Sequence, residues 1–164
     1  MNNVEYLEHI IRNKITPLSL SLLLGMLILY PLTGVAQTQN KKPQITVFKS
    51  PTCGCCNKWI KHLEKNNFDV ISKNSSNMPK VKSEAGVIPQ VQSCHTGIIN
   101  GYYIEGHVPA GDIKRLIVEK PKALGLSVPG MPMGSPGMEG HRKDPYTVIL
   151  MKKDGSYERF SEHK

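Results

Sequence analysis

The spacing of apolar and polar positions changes several times along the chain, and each change predicts an element. Residues 15–32, ITPLSLSLLLGMLILYPL, carry no charge and follow Arg12 and Lys14, and GVAQ then sets small Gly34 and Ala36 where a signal peptidase reads. This predicts a secretory signal over residues 1–36. Its alternative is an uncleaved anchor, because the apolar run approaches spanning length. Residues 37–43 form a polar linker. Gln44 to Lys49 is rich in β-branched and aromatic residues and reads as a strand, broken by Ser50 and Pro51. From Cys55 onward, Trp59, Ile60 and Leu63 recur at helical spacing with Lys58, Lys61, Glu64 and Lys65 opposite, until Asn66 and Asn67. FDVISK, Phe68 to Lys73, alternates as a second strand. Pro79 to Gly86 reads as a short helix capped by Ser76 or Asn77.

TGIING and YYIEG predict a hairpin turned at Asn100 and Gly101, and Pro109 opens a helix whose apolar face is Ile113, Leu116 and Ile117. Residues 125–140, GLSVPGMPMGSPGMEG, carry five glycines and three prolines, a density that excludes regular elements. Tyr146–Met151 and Tyr157–Phe160 read as strands about Asp154 and Gly155. Too small to stand alone, this hairpin is expected on the same domain. The order strand, helix, strand, helix, hairpin, helix is a thioredoxin-like α/β layout: a mixed sheet with helices on both faces, here extended by a C-terminal hairpin. The domain runs over residues 44–164, and the 128 residues beyond a cleaved signal suit one modest core.

The formal charge is +8. The lysines are scattered, with no arginine-rich helix or aromatic-interleaved basic patch, so nucleic acid is not indicated. A membrane is a partner only if the N-terminal segment stays uncleaved. No paired carboxylates, serine triad or Gly-rich phosphate loop point to a hydrolase or nucleotide enzyme, and Asp112 and Glu105 read as solvated.

Export changes how the four cysteines are read, since disulfides persist outside the cytoplasm. Three of them, Cys53, Cys55 and Cys56, crowd one loop in SPTCGCC, where bridging near neighbours contributes little stability. Cys53 and Cys56 form a C-x-x-C at a strand-to-helix junction, where free N–H groups and the helix dipole lower a thiol pKa. That position serves thiol exchange and soft-metal binding equally. Cys55 departs from a two-thiol exchange centre, because a third neighbouring thiol invites misoxidation. In a thioredoxin-like layout Ser93-Cys94-His95-Thr96, before the third strand, comes beside this loop. That placement leaves Cys94 within bridging reach of the loop when the metal-free protein is oxidised. His95 is the weaker neighbour, its ring free to face solvent. Thiolates select monovalent copper, zinc or iron–sulfur centres.

Met131, Met133 and Met138 have no helical face to place them in a core. Their thioethers suit monovalent copper better than zinc, although Met also fills irregular gaps. His107 is a further candidate ligand, with His141 behind it and His62 carrying little weight. Trp59 and Leu63 read as core, Trp59 close enough to shield the sulfurs from water, and Gly54 as relief for a crowded turn.

PTCGCCNKWIKHL, SCHTGIINGYYIEGHVPAGDIKRL and GLSVPGMPMGSPGME, in that order, resemble the CopG-like family of bacterial envelope copper-resistance proteins, long described as a domain of unknown function. The resemblance runs from about Ile45 to the C-terminal hairpin. It implies a periplasmic, thioredoxin-like protein that holds copper in a cysteine-bridged multinuclear cluster through Cys53, Cys55, Cys56 and Cys94. It also implies a role in copper handling, with copper redox interconversion suggested, and envelope copper-transport or chaperone proteins as partners. The SCH segment stands where thioredoxins place Thr/Val-Pro, which counts against substrate-disulfide exchange. Three alternatives stay open: a thiol–disulfide oxidoreductase using Cys53 and Cys56, a structural zinc or iron–sulfur protein, and an adaptor with incidental cysteines.

Overall fold

The computed structural model describes residues 41–164. The expected signal or anchor over 1–36, and most of the linker, lie outside the described residues. Among the described residues no helix is long and apolar enough to cross a membrane.

Strand β1 (Gln44–Lys49) leads into helix α1 (Gly54–Lys65), β2 (Asp69–Asn74) and α2 (Met78–Glu84), with a short 3-10 turn at Pro89–Val91. The hairpin β3 (Thr96–Ile99) and β4 (Tyr102–Glu105) follows, then α3 (Ala110–Glu119), β5 (Gly125–Ser127), β6 (Tyr146–Met151) and β7 (Tyr157–His163). One mixed sheet contains all seven strands in the order β2-β1-β3-β4-β5-β6-β7. β1 pairs parallel to β2 and antiparallel to β3, β4 pairs parallel to β5, and β5 antiparallel to β6. The thioredoxin-like layout read from the element order is the observed fold, with helices flanking the sheet and the hairpin β6–β7 at its end.

Alternation along β6 shows how the helices sit. Val148 and Leu150 join the main core with Trp59, Ile60 and Leu63 of α1 and Ile113 and Leu116 of α3. Ile149 and Met151 join a second cluster with Ala85, Val87 and Val91, around the end of α2. Successive strand residues face opposite sides, so α1 and α3 cover one face and the α2 end covers the other.

Local sequence explains the ends. The Asn77 side chain accepts from the Lys80 amide to start α2, and Asn67 takes a left-handed φ of 65° just past α1. β2 begins one residue later than expected and is an exposed edge, with Phe68 buried just before it. The expectation that residues 125–140 hold no regular element is corrected at its start. Gly125–Ser127 is a buried strand, hydrogen-bonded on both sides and linking the hairpin to the rest of the sheet. Glycine makes this possible: a Cβ on residue 125 would stand 1.7 Å from the Tyr103 carbonyl oxygen. Gly54, expected to relieve crowding, has open space where a Cβ would stand.

Candidate metal centre

Two neighbouring strands bring the sulfurs together. β1 ends just before Cys53, and β3 begins just after Cys94-His95, with Phe48 opposite Thr96. The loops leaving these ends therefore share one edge of the layer, whatever their separation in sequence.

Cys53 is the N-cap of α1, its sulfur accepting from the Cys56 amide at 3.3 Å, and no acidic residue occupies the first turn. Negative charge on the sulfurs is stabilised there by the helix dipole. Cys53 and Cys56 are joined as a disulfide, their Cα atoms 5.3 Å apart, while Cys55 and Cys94 are free thiols. The Cys94 sulfur lies 3.7 Å from that of Cys56, and Cys53 and Cys55 sulfurs are 3.6 Å apart. All four sulfurs lie within 4.8 Å of one another. Cys94 thus stands within bridging reach, but the bond formed is Cys53–Cys56, because the turn itself brings those two Cα atoms to disulfide range.

Cys94 belongs to a second group with His95 and His107, whose donor atoms also lie within 4.8 Å of one another. Its sulfur is 3.1 Å from His107 Nε2 and 3.3 Å from His95 Nδ1. Burial, and then the neighbouring Cys55, push the Cys94 thiol up to about 12. His107 Nδ1 lies 2.7 Å from the Pro136 carbonyl, which can only accept. The ring proton therefore sits on Nδ1, leaving the Nε2 lone pair toward Cys94. His95 corrects the expectation of a solvent-facing ring. It is fully buried against the Trp59 ring, 4.2 Å between centroids. Its Nε2 has no hydrogen-bond partner. Burial lowers the pKa of both histidines, so both rings are neutral donors. His95 Nδ1, 3.3 Å from the Cys94 sulfur, and His107 Nε2 are the ring nitrogens that face the sulfur, and neutral nitrogens beside clustered sulfurs fit a soft cation.

The Gly/Pro loop covers the helix start. Gly137 has a φ of +87°, and a Cβ there would lie 2.8 Å from the Trp59 amide nitrogen and 3.0 Å from the Cys55 carbonyl. The Glu139 carboxylate accepts from the Gly137 amide at 2.8 Å, and Gly134 N–H donates to the Met138 carbonyl at 2.9 Å. Met131 is exposed, while Met133 and Met138 are half-buried. His141 is exposed. His62 accepts from the Ala110 amide at 3.1 Å and so caps α3. Trp59 is fully buried, its indole N–H donating to the Val108 carbonyl at 2.8 Å.

A polar network lies behind Cys94. Glu105 is buried, not solvated, bonded to Lys82 of α2, to the Ser93 amide at 2.6 Å and to Thr96 Oγ1 at 2.7 Å. Burial raises its pKa, opposed by Lys82. Asp112 is likewise buried, 2.8 Å from His163 Nε2 and near Arg115. No local pattern marks either carboxylate, because the partners come from other elements.

A family model described as a protein of unknown function, DUF411, matches residues 91–138. Two solved structures of copper resistance protein copG, Form 1 and Form 2, match with a TM-score of 0.71 and 46% sequence identity. Each alignment covers 74% of this chain and 98% of the other. Among curated protein sequences none matches.

Proposed function

From the premise that this chain belongs to the CopG-like family of bacterial copper-resistance proteins, we propose that it is an exported protein that binds monovalent copper as cargo through Cys53, Cys55, Cys56 and Cys94. One observation carries this reading: four sulfurs from two separate segments converge within 4.8 Å. Once the Cys53–Cys56 disulfide is reduced all four are thiols. Thiolates prefer monovalent copper, and each can bridge two ions, so a set this dense favours a multinuclear cluster. His95 and His107 add neutral nitrogens to the same centre. Met131, Met133 and Met138 feed or guard it transiently, because thiolates outcompete thioethers for the same ion. The setting is the periplasm, in copper resistance or handling, with copper redox interconversion and exchange with envelope copper carriers as its reaction class.

The test is anaerobic titration of the reduced protein with monovalent copper. Saturation above one ion per chain is expected; saturation by a single zinc with copper excluded would sink the proposal. Replacing the three loop methionines by Leu conserves volume. It should keep the copper count while slowing exchange with a chelator, and unchanged exchange would reduce these methionines to gap filling.

A second reading draws on the Cys53–Cys56 disulfide. Cys56 is fully buried and Cys53 is partly exposed, the arrangement of a dithiol exchange centre. Cys55 separates the two readings.

A further inference from the structure

We propose that Glu105 is the positioning residue of this centre: paired with Lys82, its carboxylate holds the Ser93 amide on one side of Cys94 and the Thr96 hydroxyl on the other, and so fixes where that sulfur stands. One carboxylate oxygen accepts from the Ser93 amide at 2.6 Å and the other from the Thr96 hydroxyl at 2.7 Å. Lys82 holds the same carboxylate and also donates to Thr96 Oγ1 at 3.2 Å. Between these two grips the His95 carbonyl accepts from the Gly106 amide at 3.0 Å. The segment from Ser93 to Thr96 is therefore tied at both ends and at its middle. The two side chains it carries between the grips are Cys94 and His95, the two it contributes to the centre.

The chemistry of the pair argues for placement over stability. A buried ion pair contributes little net stability compared with apolar side chains of the same volume. Lys82 and Glu105 are 5% and 0% exposed, so their desolvation is nearly complete. What an apolar pair lacks is any acceptor for the Ser93 amide and the Thr96 hydroxyl. A carboxylate supplies two oxygens to three donors, whereas glutamine has one acceptor oxygen. The arrangement parallels an outer hydrogen bond that orients a metal ligand, here acting through the flanking Ser93 amide and Thr96 hydroxyl instead of a ring nitrogen. The inference rests on the reading of Cys94 as a copper ligand, and its test has one arm that needs no copper.

With the Cys53–Cys56 disulfide in place, Cys55 and Cys94 are the two free thiols, so iodoacetamide labelling followed by peptide mass spectrometry reads each separately. In Glu105→Gln, Cys94 labelling should accelerate severalfold while Cys55 labelling stays as in the parent protein. In the reduced protein, chelator competition should show copper held about 10–100-fold more weakly, the usual scale for losing such a partner. Glu105→Asp keeps the carboxylate and should recover most of that loss, which a fall in stability alone would not do. If Glu105→Gln fails to fold, the double variant Lys82→Met with Glu105→Leu leaves no unpaired charge and carries the same test. Parent-like Cys94 labelling and copper competition in either folded variant would overturn the clamp. Altered Cys94 labelling in a protein that binds no copper would uphold the clamp and reject the copper reading.

Discussion

Cys55 is the residue on which the chemistry divides. An exchange centre needs Cys53 to attack and Cys56 to resolve, and Cys55 plays no part in that step. A bridged copper centre uses Cys55 as a ligand, its sulfur 3.6 Å from that of Cys53. Cys55→Ser should therefore lower the copper bound per chain without raising insulin-disulfide reduction. Full copper loading together with undiminished reductase activity would favour the oxidoreductase. At this scale the four cysteines were legible, because three crowded thiols beside an apolar run are a pattern that packing does not require. Glu105, Lys82 and Asp112 were not. Whether a charged side chain is buried depends on partners from other elements, such as Ser93, Thr96 and His163, and no neighbouring residue announces them. The His95 ring was misplaced for the same reason: Trp59, which covers it, lies on α1.

The loop after β5 works as an element although it has no regular structure. Its contact with α1 is backbone against backbone at Gly137, where a left-handed φ and the nearby Trp59 amide both exclude a side chain. Gly137→Ala should cost about 1–3 kcal/mol, the usual range for a non-glycine residue forced into that conformation. Trp59 is the single tryptophan and touches the affected turn, so its fluorescence reports both thermal unfolding and local loosening. An unchanged Tm and emission spectrum would show that the loop does not press on α1. The helices and most strands were readable from period and caps. β5 was not, because three residues, one of them Gly125, carry too little pattern. They are a strand only because β4 and β6 stand on either side.

At the scale of the molecule, two histidines, His95 and His107, are buried and a third, His62, is half-buried. Burial lowers the pKa of His62, His95 and His107 below the ordinary 6.5. Above about pH 6.5 these rings are neutral folded or unfolded, and their contribution to stability is full. As pH falls through 6.5 the unfolded chain takes up protons that the folded chain refuses, so stability drops. Glu105, its pKa raised by burial above the ordinary 4.5, acts in the opposite sense. Urea midpoints should fall between pH 7 and 5, above the range where ordinary carboxylates titrate, and less steeply in His62→Gln. A flat midpoint over that range would mean that the rings are not held neutral. The thioredoxin-like layout was legible in the order of elements. That one sheet would run unbroken from β2 to β7 was not, since it depends on β5.

The loop over α1 also bears on how the centre comes into being. Cys56 meets Cys94 across 38 positions and Trp59 meets Val108 across 49, and residue 137 closes over residues 55 and 59 later still. Contacts that distant are the slow ones to form, because chain entropy must be lost before they reward it. A chain emerging from its N-terminal end therefore carries three adjacent thiols well before it has the segments that order them. The contacts within helix α1 are local, whereas the centre at its tip is complete only when nearly the whole domain is in place.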